Sequence, residues 1–160
     1  MANAFFTNSI WRGRIIRYAP LLILTAVILS TTDIASMNET SRFIRPFLEF
    51  LLPNSSPETI TEIHGLIRKL AHPCVYALLA FLASRAYRYS SINILRNFWP
   101  IAAMLFSVAV AITDEILQSQ NPSRTGTAWD VGLDAIGAFI AIALYYLLRP
   151  TYLKQAQEES

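Results

Sequence analysis

The sequence predicts an all-α integral membrane protein: a four-helix bundle with a short amphipathic extracytoplasmic helix between spans one and two. Two observations carry that prediction. Apolar residues make up 54% of the chain and charged residues 15%, against the ~25% charged of a typical soluble domain. That is too few charges to cover a water-facing surface. Apolar runs also recur at four places, each near the ~20 residues that a bilayer core requires, with a floor near ~17. At 160 residues the chain is expected to form one domain, 1–160.

The first span is expected over 15–32. Arg12, Arg14 and Arg17 precede it, Tyr18 anchors one boundary, Pro20 lies near its start, and Thr31-Thr32-Asp33 ends it. The run is long and lacks a small-residue cleavage site, so it reads as a span, not a removable leader. Further on, Phe43, Ile44, Phe47, Leu48, Leu51 and Leu52 recur with near-helical period among Arg42, Arg45 and Glu49. That pattern describes a short helix lying in the membrane surface. Pro53-Asn54-Ser55-Ser56-Pro57 is a turn signal. Ser56 or Thr59 can cap the helix that follows, with Glu58 and Glu62 favourable in its first turns.

The second span is expected over 70–87, closed by Arg85 and Arg88, and the third over 98–117, with Asp114, Glu115 and Gln118 at its far end. A short polar loop, Ser119 to Thr127, leads to the fourth span over 128–148, closed by Arg149 and Pro150. Lys and Arg beside span ends set orientation. Arg12, Arg14, Arg17, Arg85, Arg88, Arg96, Arg149 and Lys154 fall on one side, and outnumber Arg42, Arg45, Arg68, Lys69 and Arg124 on the other. Both termini are therefore expected in the cytoplasm of a cell membrane.

Composition also limits function. The net charge of +2 is spread in small groups, unlike the clustered basic face of a nucleic-acid binder. Cys74 is the only cysteine, so no intrachain disulfide can form.

The informative residues are ionisable groups at the outer ends of three spans. Arg68, His72 and Tyr76 follow i, i+4, i+8 spacing and share a helix face, with Lys69 beside them. Asp114 and Gln118 are four apart and Glu115 is three before Gln118. Asp130 and Asp134 are four apart, Gly137 lies one turn deeper, and Arg124 sits in the preceding loop. An acid or base at a helix centre costs about 2.5–3.5 kcal/mol on insertion scales. Such groups are expected to meet one another in an outward-opening polar pocket. Gly132 and Gly137 are expected at close helix contacts.

The strings Lys69-Leu-Ala-His72-Pro-Cys-Val-Tyr76, Asp114-Glu115-Ile-Leu-Gln118, Arg124-Thr-Gly-Thr-Ala-Trp-Asp130 and Asp134-Ala-Ile-Gly137 occur in this order. Together they resemble the signature of the VanZ-like family of bacterial integral membrane proteins, named for an accessory protein of teicoplanin resistance. The resemblance spans about residues 15 to 148 and implies a role in the cell envelope at the bacterial inner membrane, with lowered glycopeptide susceptibility known for some members. It picks out Lys69, His72, Tyr76, Glu115, Gln118, Arg124, Asp130, Asp134 and Gly137. Two positions depart from the pattern: Pro73 stands where an aromatic often follows the histidine, and Asp134 stands where Asn is frequent.

Two functional classes are expected from these residues. In the first, the pocket binds a membrane lipid head group or a lipid-linked envelope precursor without catalysis. Arg68, Lys69 and Arg124 meet phosphate, while His72, Tyr76, Asp114, Glu115, Gln118, Asp130 and Asp134 complete the ligand-binding set. In the second, a membrane enzyme acts on a lipid-linked phosphate substrate, with His72 as base or nucleophile, Glu115 or Asp130 orienting it, and Arg124 stabilising charge. His64, His72 and the acids could also supply metal ligands, but no tight His-x-x-x-His spacing supports this, so no metal and no cofactor are expected. Assembly into a homo-oligomer stays open.

Overall fold

The structure is a computed structural model that describes residues 2–30, 37–120 and 127–148, except the side chains of residues 2–12 and 37–40. Six helices follow in order: α1 (Ala2–Ser30), α2 (Met37–Leu51), α3 (Pro57–Arg88), α4 (Asn93–Asn97), α5 (Trp99–Ser119) and α6 (Ala128–Leu148). There is no strand among the described residues. Four helices are long and apolar enough to cross a membrane: α1 over Gly13–Ser30, then α3, α5 and α6. The four-span expectation holds, and the fourth span keeps its expected limits.

The second span departs most from expectation. The helix that Ser56 was expected to cap starts at Pro57 and runs on without a break through the apolar run expected over 70–87 to Arg88. Ser56 caps it by accepting a hydrogen bond from the Thr59 N–H at 3.2 Å, and Pro57 occupies the first turn, where its missing N–H costs nothing. At 1.5 Å per residue its 32 residues are ~48 Å long, against ~30 Å of hydrocarbon. Roughly three turns therefore extend past the apolar core. The expected end of span one at Thr31-Thr32-Asp33, Arg124, and the tail with Arg149, Pro150 and Lys154 lie outside the described residues, as does the Arg12 side chain.

Helices α3, α5 and α6 pack against each other and form the centre. Their shared faces carry small residues: Ala80, Ala83 and Ala86 on α3, Ala103 and Ala111 on α5, and Ala138 on α6, all buried. Within a bilayer the lipid is as apolar as the side chains, so helices associate by close backbone approach, which small residues permit. Ser84 and Ser107 are buried on these faces and return their hydroxyl protons to the carbonyls of Ala80 and Ala103, at 2.7 and 2.9 Å. Large apolar residues such as Leu105, Phe139 and Leu147 point outward, where lipid would cover them.

Helix α1 lies at the periphery. It packs against α3 and α5 but does not reach α6, and buries a narrow stripe led by Leu21 and Ile28. Tyr18, near the start of the Gly13–Ser30 span, donates to Ser90 Oγ, just past the end of α3, at 2.8 Å. Among the described residues the amphipathic α2 packs on no helix but α3. It buries Leu48, pairs Arg45 with Glu49 at 2.9 Å, and leaves Phe43 and Phe50 each 81% exposed. A helix with aromatic rings projecting on one side and ion pairs on the other suits the bilayer interface.

Candidate functional site

The polar residues collect where the first half of α3 meets the last turns of α5 and the first turns of α6. Tyr76 is fully buried there and donates its hydroxyl proton to Asp114 Oδ2 at 3.1 Å. Gln118, one turn on along α5, donates from Nε2 to the same oxygen at 2.9 Å. The Tyr76 bond joins α3 to α5, and the two donors together satisfy a carboxyl oxygen that apolar surroundings would otherwise penalise.

Asp134 is in a different position. Its side chain is 3% exposed, and Oδ2 lies 4.0 Å from Nδ1 of His72, too far for a hydrogen bond. Among the described residues its other oxygen, Oδ1, has no donor, and no other buried side-chain nitrogen or oxygen is left in that state. His72 is 34% exposed along its side chain, so it stands between this buried acid and the outside. A buried acceptor without a donor costs about 1–3 kcal/mol. Native interiors rarely retain such a group, and one that persists calls for an explanation.

Close backbone packing holds this arrangement. A Cβ built on Gly137 would sit 2.9 Å from the carbonyl carbon and 3.0 Å from the Cα of Pro73, and would strike the Pro73 oxygen. Only glycine permits α6 to approach α3 here, and the contact lies one residue from His72 and three from Asp134. Pro73 lacks an N–H, so the carbonyl of Lys69 loses its helical donor on the same turn. Gly137 is the close-packing position that the sequence suggested. Gly132 has open space around it and is not one.

Two further expected acids lie close enough to act electrostatically on Asp134. Glu115 accepts the backbone N–H of Thr127, which ties the end of α5 to the residue preceding α6. Thr127 caps α6: its hydroxyl accepts the Asp130 N–H at 3.3 Å and donates to Asp130 Oδ2 at 2.8 Å. Glu115 and Asp130 therefore lie at the α5–α6 junction, within electrostatic reach of Asp134, the acid 4.0 Å from His72. Arg68 is half-buried one turn along α3 from His72, and Lys69 is exposed. Arg124 lies outside the described residues. His64 was missed as part of the stripe. It is 3% exposed and extends the series 64, 68, 72, 76, close to buried Ile60 where α2 packs on α3. The fourfold spacing was a sufficient signal. Among the described residues, no three His, Cys, Asp or Glu side chains gather to hold a metal.

A family model described as VanZ/LLP1 matches residues 15–149. The chain belongs to the VanZ/LLP1 family. The match takes in all four polar strings and, but for Gly13 and Arg14, all four candidate spans, so in this VanZ/LLP1 protein the family region and the membrane bundle nearly coincide. No curated protein and no solved structure matches the chain significantly.

Proposed function

We propose that this VanZ/LLP1 protein is a single-unit cell-envelope protein whose polar end binds the head group of a membrane lipid or a lipid-linked wall precursor. The observation that carries the reading is Asp134 Oδ1, a buried acceptor lacking a donor beside a half-exposed histidine. A sugar or glycerol hydroxyl entering past His72 supplies that donor. Arg68 and Arg124 supply planar donor forks, and Lys69 a further cation, for the phosphate of the same ligand. The Tyr76–Asp114–Gln118 group is already satisfied and forms the wall behind it. The excess of Lys and Arg on the opposite side supports cytoplasmic termini and an extracytoplasmic polar end. Sequestering or presenting a wall precursor there would alter susceptibility to glycopeptides that act on such precursors.

The test is lipid retention by purified protein offered a polyprenyl-phosphate-linked sugar. Removing a hydrogen bond to a charged group costs about 1.5–3 kcal/mol, so Asp134→Asn and Arg68→Ala should each weaken retention by tenfold or more. Retention equal to wild type in both variants refutes the reading.

The His72–Asp134 pair favours a second reading, a membrane enzyme acting on a lipid-linked phosphate substrate. A carboxyl behind a half-exposed imidazole can orient the ring for base or nucleophile work. Turnover that disappears in His72→Ala while lipid retention persists would select it. Absence of turnover across polyprenyl phosphates would exclude it.

A further inference from the structure

At the end of the bundle away from His72 and Asp134, a groove of about 370 Å³ runs along the seam between α3 and α6. Phe81, Ala141 and Leu144 line it toward the middle of the spans, and Arg88, Tyr89 and Tyr145 line it at the helix ends. Arg88 is the last residue of α3. Its guanidinium lies 5.4 Å from the centre of the Tyr89 ring and 5.8 Å from that of Tyr145. Tyr145 is itself fixed by edge contacts to Phe81 at 5.5 Å and to Trp99 at 5.4 Å. Two rings hold the cation by the attraction of their π faces. Among the described residues no acid lies within ion-pair range of it.

Both walls of the groove are spans, so a bilayer surrounds it. Its apolar stretch is at hydrocarbon depth, and its one charge stands at the boundary where phosphates lie. We propose that this groove is a binding site for an anionic phospholipid of the adjoining leaflet. One acyl chain lies along Phe81, Ala141 and Leu144, and the phosphate accepts hydrogen bonds from Arg88. A zwitterionic lipid offers the same chain but cancels the phosphate charge within its own head group. A free phosphate offers the charge without the chain. The anionic lipid alone uses both parts of the site.

The experiment is native mass spectrometry of the purified full chain with equal amounts of phosphatidylglycerol and phosphatidylcholine. One arginine near a membrane surface favours anionic lipid by about fivefold, and wild type should retain phosphatidylglycerol by that ratio. Arg88→Gln should abolish the preference, and Arg88→Lys should keep most of it. Ala141→Leu fills the groove while leaving the charge, and should lower retention of both lipids. Arg96→Gln, on the same side but outside the groove, should change nothing. Equal retention of both lipids by wild type, a preference that survives Arg88→Gln, or an equal loss in Arg96→Gln would each overturn the proposal. The lysine and leucine variants keep the charge, so misfolding of the glutamine variant leaves two arms of the test standing.

Discussion

At one end of the α3–α5–α6 bundle, Trp99 meets Tyr145 edge-on at 5.4 Å and stacks with Tyr146, while Tyr87 meets Phe106 edge-on at 6.1 Å. At the other end, the same three helices bring together Tyr76, Asp114, Gln118, His72 and Asp134. The aromatic end secures the helices with contacts that hydrocarbon tolerates. The polar end could have been built that way too. Instead it keeps an acid with an unfilled acceptor, which weakens the fold. The difference teaches that packing does not account for the polar end, and that what it retains at a cost to stability is best sought in ligand binding.

The largest expected effect breaks the geometry on which the polar end depends. Gly137→Ala puts a methyl into the Pro73 backbone, and backbone cannot swing aside as a side-chain tip can. Overpacking of this kind costs about 1–3 kcal/mol, and backbone contact places this case at ~3. Reversible unfolding in mixed micelles measures it. Gly132→Ala meets nothing and should be neutral or raise stability by up to ~1 kcal/mol through helix propensity. A similar loss in both variants would mean that the α3–α6 contact does not set the spacing of the site.

Next in size is Asp134→Asn, which keeps the side chain's shape but removes a buried negative charge that stands among Asp114, Glu115 and Asp130. The fold should gain about 1–2 kcal/mol while lipid retention falls, the opposed outcome expected where function retains a destabilising group. Tyr76→Phe should do the reverse. It deletes a satisfied bond to Asp114 and should cost about 1 kcal/mol, within the range measured for side-chain bonds between spans. If Asp134→Asn destabilised as Tyr76→Phe does, the two acids would be equivalent structural groups and the contrast between the ends would vanish.

How much of this was legible in the sequence depended on what each signal reports. Apolar run length reports bilayer depth, so the four spans were legible, and 128–148 coincided with α6 because charge and proline flank that run closely. It does not report helix ends. Glu62, Arg68 and Lys69 lower the hydropathy before residue 70, so the helix capped at Ser56 and the span after residue 70 read as two segments, whereas α3 is one helix from Pro57 to Arg88. Spacing of four identified the stripe of Arg68, His72 and Tyr76 on one helix. It could not say which stripes face each other, because the rotation of α6 against α3 is set by the Gly137–Pro73 contact between distant residues. Glu115 and Asp130 were therefore expected beside His72, whereas the bonds of Thr127 hold them at the α5–α6 junction. The Thr127-x-x-Asp130 spacing carries a capping signal of its own, which a reading intent on acid–base pairs passes over.

The smallest expected effect tests the aromatic end directly. Tyr18 is the one α1 side chain with a described hydrogen bond to α3 or its exit turn, and its hydroxyl reaches Ser90 Oγ, which in turn accepts the Ile92 N–H at 3.0 Å. Tyr18→Phe keeps the ring and removes only the proton donor. Side-chain bonds between spans average about 0.6 kcal/mol, and Ser90 retains its role in the turn, so the loss should be near that value. If this end is independent of the polar one, lipid retention at the polar end should be unchanged in the variant, since α1 makes no direct contact with α6, which carries Asp134. A loss of retention in Tyr18→Phe would mean that the two ends are coupled through α3 or α5, and that the bundle works as one element instead of a scaffold carrying a separate site.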